Sequence, residues 1–319
     1  MKSSDKSIEN TNWPAIPFSK WQSTTAALHL YLQIVGKYRL ANSPWINHSW
    51  HATFYITPRG FTTSLVPDGS GGIEIQFDLI DHVVRGQCGS GAAESFPLAP
   101  MSVADFHDQF LSMLKSIGAS HFFHGSPNEM PDPVPFIEDD VLRPYDADAV
   151  SRFHRAMVSV NQVFQLFRTG FRGKVSPVHL FWGSFDLAVT RFSGRGAPPH
   201  PGGIPNLPDD VTREAYSHEV SSAGFWAGGG PIDEAAFYAY AYPQPDGFSD
   251  SDISPAAARY NAEFGEFVLP YEAVRTANDP EATLLAFLES TYEAAATLGD
   301  WDRTQECSLG QKGKLSPNS

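Results

Sequence analysis

The stretch SPVHLFWGSFDLAVTRFSGR, residues 176–195, is the part of the sequence on which the fold prediction depends most. Its apolar residues predict a buried strand, and Gly183 in its middle predicts a bulge that would interrupt the alternation of side chains between the two faces. Four titratable or charged residues interrupt the apolar run: His179, Asp186, Arg191 and Arg195. Because an isolated buried carboxylate costs several kcal/mol, we expect Asp186 to pair with Arg191 or Arg195.

The arginines of this stretch have two interpretations. In the first, a guanidinium forms an internal salt bridge with Asp186 and fixes the end of a strand. In the second, Arg191 or Arg195 binds the carboxylate or phosphate of a ligand, since a guanidinium can hold such a group through two parallel hydrogen bonds. The sequence leaves both interpretations open.

Composition and charge limit the class of protein. The chain has 319 residues, 42% of them hydrophobic and 18% charged, and its formal net charge is −14. That length and apolar content predict one large or two medium globular domains. A surface so negative repels phosphate backbones and anionic lipids, so neither nucleic acid nor a membrane is an expected partner. With no apolar signal region, no membrane-length apolar stretch and two cysteines, the chain is expected to be cytoplasmic and to lack a disulfide framework.

Secondary-structure signals follow a similar order in two halves of the chain. The first half predicts a helix, three strands and a second helix, at 20–36, 47–57, 60–66, 73–86 and 102–118. Ser102 is the predicted N-cap of that second helix. The second half predicts a helix at 147–171, strands within 176–195 and at 216–226 and 235–243, and a last helix N-capped by Asp279.

Short matched strings strengthen this parallel. Gly36-Lys37 corresponds to Gly173-Lys174, and His48 with Trp50 corresponds to His179 with Trp182. We therefore predict an α+β fold, internally duplicated, with two similar halves that each contain an antiparallel sheet flanked by helices. The predicted division is a first repeat at 13–124, an acidic Pro-rich connector at 125–146, a second repeat at 147–303 and a disordered tail at 304–319. A ligand site is expected where the two halves meet.

The string YSHEVSSAGFW, residues 216–226, carries the predicted acid–base residues. His218 is a candidate general base, because small environmental changes bring a histidine pKa to neutrality. Glu219 and Asp186 are the candidate carboxylates beside it. His48, His179 and His218 lie on separate predicted strands and would together suit iron or zinc. The alternative for each histidine is a hydrogen-bonded structural role.

Aromatic residues offer a candidate binding surface. Tyr238, Tyr240 and Tyr242 alternate along one predicted strand and share a face. They are interpreted either as sheet packing or, with Trp182, as the wall of a pocket for a flat ligand. The acidic residues of the connector, Glu129 among them, are interpreted as a solvated linker.

The chain resembles a bacterial family known as domain of unknown function 5996. The resemblance runs from about Trp13 to Arg303 and is carried by five strings: NTNWPAIPFSKWQSTTAALHLYLQIVGK, NHSWHATFYITPRG, SPVHLFWGSFDLAVTRFSGR, YSHEVSSAGFW and LPYEAVR. The family implies no assigned activity and no catalytic residue. It does imply that the polar residues of these strings belong to one shared site or framework.

Three functions are compatible with these observations. The first is an enzyme acting on a small anionic or aromatic molecule, with a polar pocket between the halves and a divalent metal as a candidate cofactor. The second is a small-ligand-binding protein without catalysis. The third is a structural or interaction protein whose buried charges form salt bridges only.

Overall fold

Two antiparallel sheets form the frame of the protein, seen in a computed structural model that describes residues 12–69, 71–130, 132–229 and 232–307. The five-stranded sheet follows chain order: β1 (Tyr55–Thr57), β2 (Gly60–Thr62), β3 (Ile73–Asp78), β4 (Val83–Cys88) and β5 (Ala93–Pro97). The six-stranded sheet contains β6 (His179–Phe181), β7 (Asp186–Gly196), β8 (His218–Trp226), β9 (Ala236–Tyr242), β10 (Arg259–Asn261) and β11 (Glu266–Pro270). Its spatial order is β10-β11-β9-β8-β7-β6.

Helices precede and follow each sheet. They are α1 (Gln22–Asn42), α2 (Val103–Ser116), α3 (Ala147–Arg168), α4 (Asp209–Ala215), α5 (Tyr271–Arg275) and α6 (Pro280–Leu298). The α+β class, with two antiparallel sheets flanked by helices, is therefore as predicted. The first half is built as helix, meander, helix. The second half is also a sheet preceded and followed by helices, but α4 is inserted between β7 and β8, and β11 rather than β10 pairs with β9. The duplication itself stays a prediction.

A short backbone bridge joins the two sheets. The Phe54 N–H donates to the Leu180 carbonyl at 2.9 Å, and the Leu180 N–H donates back to the Phe54 carbonyl at 2.9 Å. Both side chains are completely buried and belong to one hydrophobic core that runs through both halves. The start of the first sheet is thus fixed beside the edge strand of the second.

The stretch 176–195 folds as the hairpin of β6 and β7. Phe181 pairs with Asp186, and the turn between them spans Trp182–Phe185, with Phe185 in the left-handed region at φ 57°. The bulge predicted at Gly183 is instead this turn, which ends one strand and begins the next. As a result, Asp186 is the first residue of a long strand rather than a residue in its middle.

Local capping signals were predicted correctly, whereas the strand at 47–57 was not. Ser102 forms a capping box with Asp105, and Asp279 caps α6 through the Ala282 N–H. Residues Asn47–Ala52 instead form a 3₁₀ turn, and only Tyr55–Thr57 is a strand. The cause is a tertiary contact: the Glu214 carboxylate accepts the His48 N–H at 2.6 and 2.8 Å, and the backbone there is left-handed.

The helix predicted to end at Gly36 continues to Asn42. Gly36 lies inside α1, and the indole ring of Trp182 packs directly against it. A Cβ at this position would overlap that ring, so the helix needs glycine there. The Trp182 Nε1–H donates to the Ala52 carbonyl at 2.5 Å. This glycine therefore allows close packing between α1 and the β6–β7 turn, and it does not end the helix.

The last described residues of the chain, which fall within the predicted tail, contact the rest of the protein. Within the predicted tail, the Glu306 carboxylate accepts the Tyr292 hydroxyl at 2.8 Å, and its backbone pairs with Phe171. The rest of the predicted tail, residues 308–319, and the polar segment 1–11 lie outside the described residues. Within the described part of the chain, none of the helices combines the length and the apolar character needed to cross a membrane.

Replacing Gly36 with alanine tests the packing of Trp182. We expect Gly36→Ala to lower the free energy of unfolding by up to about 2 kcal/mol, because overpacking costs about 1–3 kcal/mol and the gain in helix propensity returns about 1 kcal/mol. In a Trp182→Leu background the same change should be neutral or stabilising, because the smaller side chain leaves room. Urea denaturation of the four proteins measures the coupling. An equal loss in both backgrounds would contradict the contact.

Candidate functional site

A cavity of about 890 Å³ lies on one face of the six-stranded sheet. Residues of β7, β8, β9 and β11 that face the same side form its floor: Ala188, Thr190, Phe192, Val220, Ser222, Tyr238, Tyr240 and Glu266. The first half of the chain supplies walls from α1 and the 3₁₀ turn Asn47–Ala52, and segment 204–216 closes another side. The cavity is therefore lined by both halves, as expected for a site at their junction.

Asp186 lies at the centre of the polar part of this cavity. Its carboxylate accepts hydrogen bonds from the Ser184 hydroxyl at one oxygen and from the Tyr238 hydroxyl at the other. Burial raises the pKa of Asp186, and these two hydrogen bonds oppose that rise. Gly224 is the β8 partner of Tyr238, and a Cβ at this glycine would overlap the phenol that reaches Asp186. The sequence thus provides two neutral donors for a buried acid.

The predicted pairing of Asp186 with Arg191 or Arg195 is wrong. Arg191 projects from the opposite face of β7, where it donates to the Phe167 carbonyl at 2.5 Å and to Glu289 at 3.3 Å. Its guanidinium also lies 3.5 Å from the Phe167 ring centroid. Residues 186 and 191 are an odd number of positions apart on one strand, so their side chains cannot share a face.

Arg195 and Glu219 form a pair with each other outside the cavity. Their closest atoms, Nη2 and an Oε of Glu219, are 2.7 Å apart, and the Arg195 side chain is 47% exposed. The same guanidinium donates to the carbonyls of Gly299 and Asp300 at the end of α6. Because neither arginine lines the cavity, neither is placed to hold an anionic group there, and Glu219 is not placed to act as a catalytic carboxylate.

His48 and His218 are neighbours at the edge of the cavity. Their ring centroids are 5.9 Å apart, and His48 Nδ1 lies 3.0 Å from the Ala215 carbonyl. Lys174 donates to His48 Nε2. His218 bonds to the adjacent Ser217 hydroxyl at 3.1 Å and is not among the residues that line the cavity. His48 lines the cavity with both ring nitrogens already engaged.

The three histidines predicted to bind iron or zinc do not meet in one site. His179 is fully buried, and its Nδ1 bonds to the Thr53 hydroxyl at 2.7 Å. Burial, together with the positive charges of Arg39 and Arg168, lowers the pKa of His179 to about 3, so it is neutral. Throughout residues 12–69, 71–130, 132–229 and 232–307, no group of three His, Cys, Asp or Glu side chains is arranged to hold a metal ion.

Two further carboxyl groups line the cavity, and sequence reasoning had assigned a site role to neither. Burial and the nearby Asp186 charge raise the pKa of Glu129 to about 7, against the opposing effect of Lys37. Burial and Asp186 also raise the pKa of Glu266 to about 7. Glu129 comes from the connector that was interpreted as a solvated linker. The cavity therefore holds three carboxyl groups whose pKa values are raised above the ordinary range.

Lys37 is the lysine that faces these carboxyl groups. Its Nζ donates to the Asn128 side-chain oxygen at 2.5 Å and lies 5.7 Å from the Trp182 ring centroid. Burial lowers the pKa of Lys37 to about 8, while the Glu129 charge opposes that change. The sequence marks this corner only through two glycines, Gly36 and Gly183. In the structure a Cβ on Gly36 would collide with Trp182, and a Cβ on Gly183 would collide with Glu129.

Aromatic rings form a large part of the apolar wall. The predicted pocket residues Trp182, Tyr238 and Tyr240 do line the cavity. Tyr242 does not, because its hydroxyl donates to the Pro198 carbonyl at 3.0 Å beyond the cavity edge. Other aromatic residues of the lining come from five separate segments: Trp45, Trp50, Phe181, Phe192, Tyr216 and Trp226.

Comparison with known proteins assigns no role to these residues. Residues 13–307 match a family described as "Family of unknown function (DUF5996)", which confirms the resemblance seen in the sequence. No curated protein matches the chain. No solved structure matches it either.

The two arginines are expected to differ strongly in their effect on stability. Arg191→Ala should lower the free energy of unfolding by about 2–4 kcal/mol, because it removes a buried side chain that packs on Phe167 and Tyr292 and leaves Glu289 without its ion-pair partner. Arg195→Ala should cost about 1 kcal/mol or less, as for an exposed pair. Urea denaturation of both variants measures this. Equal losses would contradict the assignment of the two side chains to different environments.

The raised pKa of Glu266 predicts a pH-dependent contribution to stability. Its pKa in the folded protein, about 7, exceeds the ordinary value of 4.5, so the folded state holds a proton that the unfolded state releases between these values. Wild type should therefore lose stability relative to Glu266→Gln as pH rises from about 5 to about 8. The difference should reach about 1–3 kcal/mol, given roughly 1.4 kcal/mol per pKa unit and partial exposure.

Glu263→Gln is the matched control for this experiment. Glu263 is exposed beside the same strand, so its replacement should leave the pH profile unchanged. Chemical denaturation at several pH values gives all three curves. A difference between wild type and Glu266→Gln that does not vary with pH would contradict the buried, proton-binding state of Glu266.

Proposed function

We propose that the protein, which belongs to the family of unknown function DUF5996, is an enzyme that transfers protons on a small organic molecule held in the cavity. The observation that carries the proposal is the convergence of Asp186, Glu129 and Glu266 on one cavity, where no arginine from the described residues lines the wall. Carboxyl groups held away from full ionisation are a recurrent feature of acid–base sites. The earlier expectation of an anionic ligand is given up, because it depended on Arg191 and Arg195.

Glu129 is the proposed proton donor and acceptor. With a pKa of about 7 it can be present in either protonation state at neutral pH, which is the condition for efficient general acid–base catalysis. Lys37 shares its corner of the cavity and favours the ionised state of Glu129. The Lys37 ammonium therefore stabilises Glu129 after it has given up its proton.

Asp186 is the proposed group that orients the substrate. Its two oxygens are fixed in direction by Ser184 and Tyr238, and each retains a lone pair that a substrate N–H or O–H can use. The different surroundings of Asp186 and Glu129 separate their roles, since one carboxyl accepts two internal hydrogen bonds and the other faces an ammonium.

Binding without catalysis is the second candidate function. The aromatic lining favours it, because such walls hold a flat or apolar molecule whether or not a reaction follows. A cytoplasmic location and the absence of a nucleic acid partner are part of both proposals. They rest on the net charge of −14 and on composition alone.

Isotope-edited NMR tests the proposed acid directly. With ¹³C-labelled glutamate, Glu129 should titrate near neutral pH, and its resonance is assigned by its disappearance in Glu129→Gln. The exposed Glu138 of the same connector is the reference, through Glu138→Gln. A midpoint at the ordinary glutamate value, about 4.3, would remove Glu129 as a general acid at neutral pH.

Turnover distinguishes the enzyme from the binding protein. Purified wild type is incubated with a small-molecule cell extract, and depleted compounds are identified by mass spectrometry. A compound consumed by wild type should be consumed at least about 100-fold more slowly by Glu129→Gln and Asp186→Asn, the usual loss on removing an acid–base group. Glu138→Gln should match wild type. A compound that binds wild type and is recovered unchanged would favour the second candidate.

A further inference from the structure

We propose that the ligand of this cavity is a small organic cation, a protonated amine attached to an apolar or aromatic body. The inference deepens the proposed function and rests on it for the location of the site. It names the substrate class, which acid–base chemistry alone leaves open. Its argument has three parts: the charge of the lining, the character of the walls and an unused polar group.

The charge of the lining is the first part. Asp186, Glu129 and Glu266 all line the cavity, and Lys37 is the lysine that lines it among the described residues. Lys37 donates to an amide oxygen of Asn128, and Asp186 receives only neutral donors from Ser184 and Tyr238. Fully ionised, the carboxyl groups exceed the ammonium by two charges. A ligand cation supplies the charge that the protein omits.

The aromatic walls are the second part. Ring faces attract cations electrostatically, and the protein already uses its own rings in this way at the cavity edge. Lys37 lies 5.7 Å from the Trp182 ring centroid, and Lys174 lies 4.5 Å from that of Phe192. On the floor, the rings of Tyr238 and Tyr240 stack at 6.1 Å with 15° between their planes. An ammonium near Asp186 would therefore have its organic body against aromatic surface.

An unused hydroxyl group is the third part, and it is independent of charge. Thr212 of α4 lines the cavity and is 2% exposed, yet its Oγ1 has no hydrogen-bond partner among the described residues. Buried hydroxyl groups almost always have a hydrogen-bond partner, and a buried hydroxyl without one costs about 1–3 kcal/mol of stability. A bound ligand with polar hydrogens gives this hydroxyl something to bond.

Proton linkage gives the proposal a distinctive signature. The groups that face the carboxyl cluster are Lys37 of α1, the phenols of Tyr238 and Tyr240 of β9, and Tyr216 after α4, while His48 and His124 line the cavity elsewhere. A cation favours the ionised carboxyl groups, so its binding should release protons near neutral pH. Its affinity should rise between pH 6 and pH 8, whereas that of a neutral molecule of the same shape should not.

The test compares three probes of matched size: benzylamine, benzyl alcohol and benzoate. Dissociation constants come from NMR titration at pH 7.5, and proton release comes from calorimetry in two buffers of different ionisation enthalpy. Benzylamine should bind wild type at least about 10-fold more tightly than the alcohol or the acid, which corresponds to about 1.4 kcal/mol. Asp186→Asn should reduce this preference to about 2-fold or less, and Glu138→Gln should retain it.

Two outcomes would overturn the proposal. One is binding of benzoate or benzyl alcohol as tight as that of benzylamine, and the other is no benzylamine binding below about 10 mM. Glu266→Gln serves as a second variant if Asp186→Asn does not fold. Failure here is distinct from failure of the proposed function. Turnover of a neutral substrate would support the enzyme proposal and contradict the cation proposal. Selectivity for the amine without any turnover would support the cation proposal and contradict the enzyme proposal.

Discussion

The packing of the Trp182 indole ring against Gly36 is the contact on which the arrangement of the site depends. It places the β6–β7 turn directly on α1, and the Nε1–H bond to Ala52 ties the same ring to the turn that precedes β1. Lys37 follows Gly36 and therefore lies over that ring. One aromatic side chain thus fixes three separate segments around the polar corner of the cavity.

Two further glycines extend the same principle. Gly183 leaves space for the Glu129 carboxyl group, and Gly224 leaves space for the Tyr238 phenol. Each lies next to a group that the site uses, and a methyl group at either would displace it. In the polar corner, large side chains therefore pack directly on the backbone of glycines, in the space that a Cβ would otherwise fill. This close packing fixes where the large side chains lie.

Sequence reasoning succeeded where the signal is local and failed where a distant residue decides. The Ser102 and Asp279 caps were predictable because donor and acceptor lie within one turn of helix. The strand at 47–57 was wrong because Glu214, far along the chain, holds the His48 backbone in a left-handed turn. Period-two alternation could not reveal that contact. The class of fold survived the error because the flanking helices and later strands were each marked by their own pattern.

The site residues divide in the same way. Tyr238 and Tyr240 were predicted because they lie on a recognisable strand, and Trp182 because it directly follows one. Glu129 and Glu266 were not, since one lies in a connector and the other at the start of a strand with nothing beside it to mark its partner. The pairing of Asp186 with Arg191 was avoidable, because strand parity alone sets them on opposite faces.

The two faces of β7 explain which buried charges are structural. On one face Arg191 donates to a carbonyl and to Glu289 and lies against the rings of Phe167 and Tyr292, away from the cavity. On the other face the Asp186 carboxylate accepts hydrogen bonds from two neutral hydroxyl groups, and its charge helps to raise the pKa of the two other carboxyl groups of the cavity. A purely structural protein gains nothing from that second arrangement, since apolar residues of similar volume are at least as stable as buried charge. The cost of burying Asp186, Glu129 and Glu266 together is explained if a ligand or a proton neutralises part of their charge. For that reason a purely structural or interaction protein is the weakest of the three functions considered.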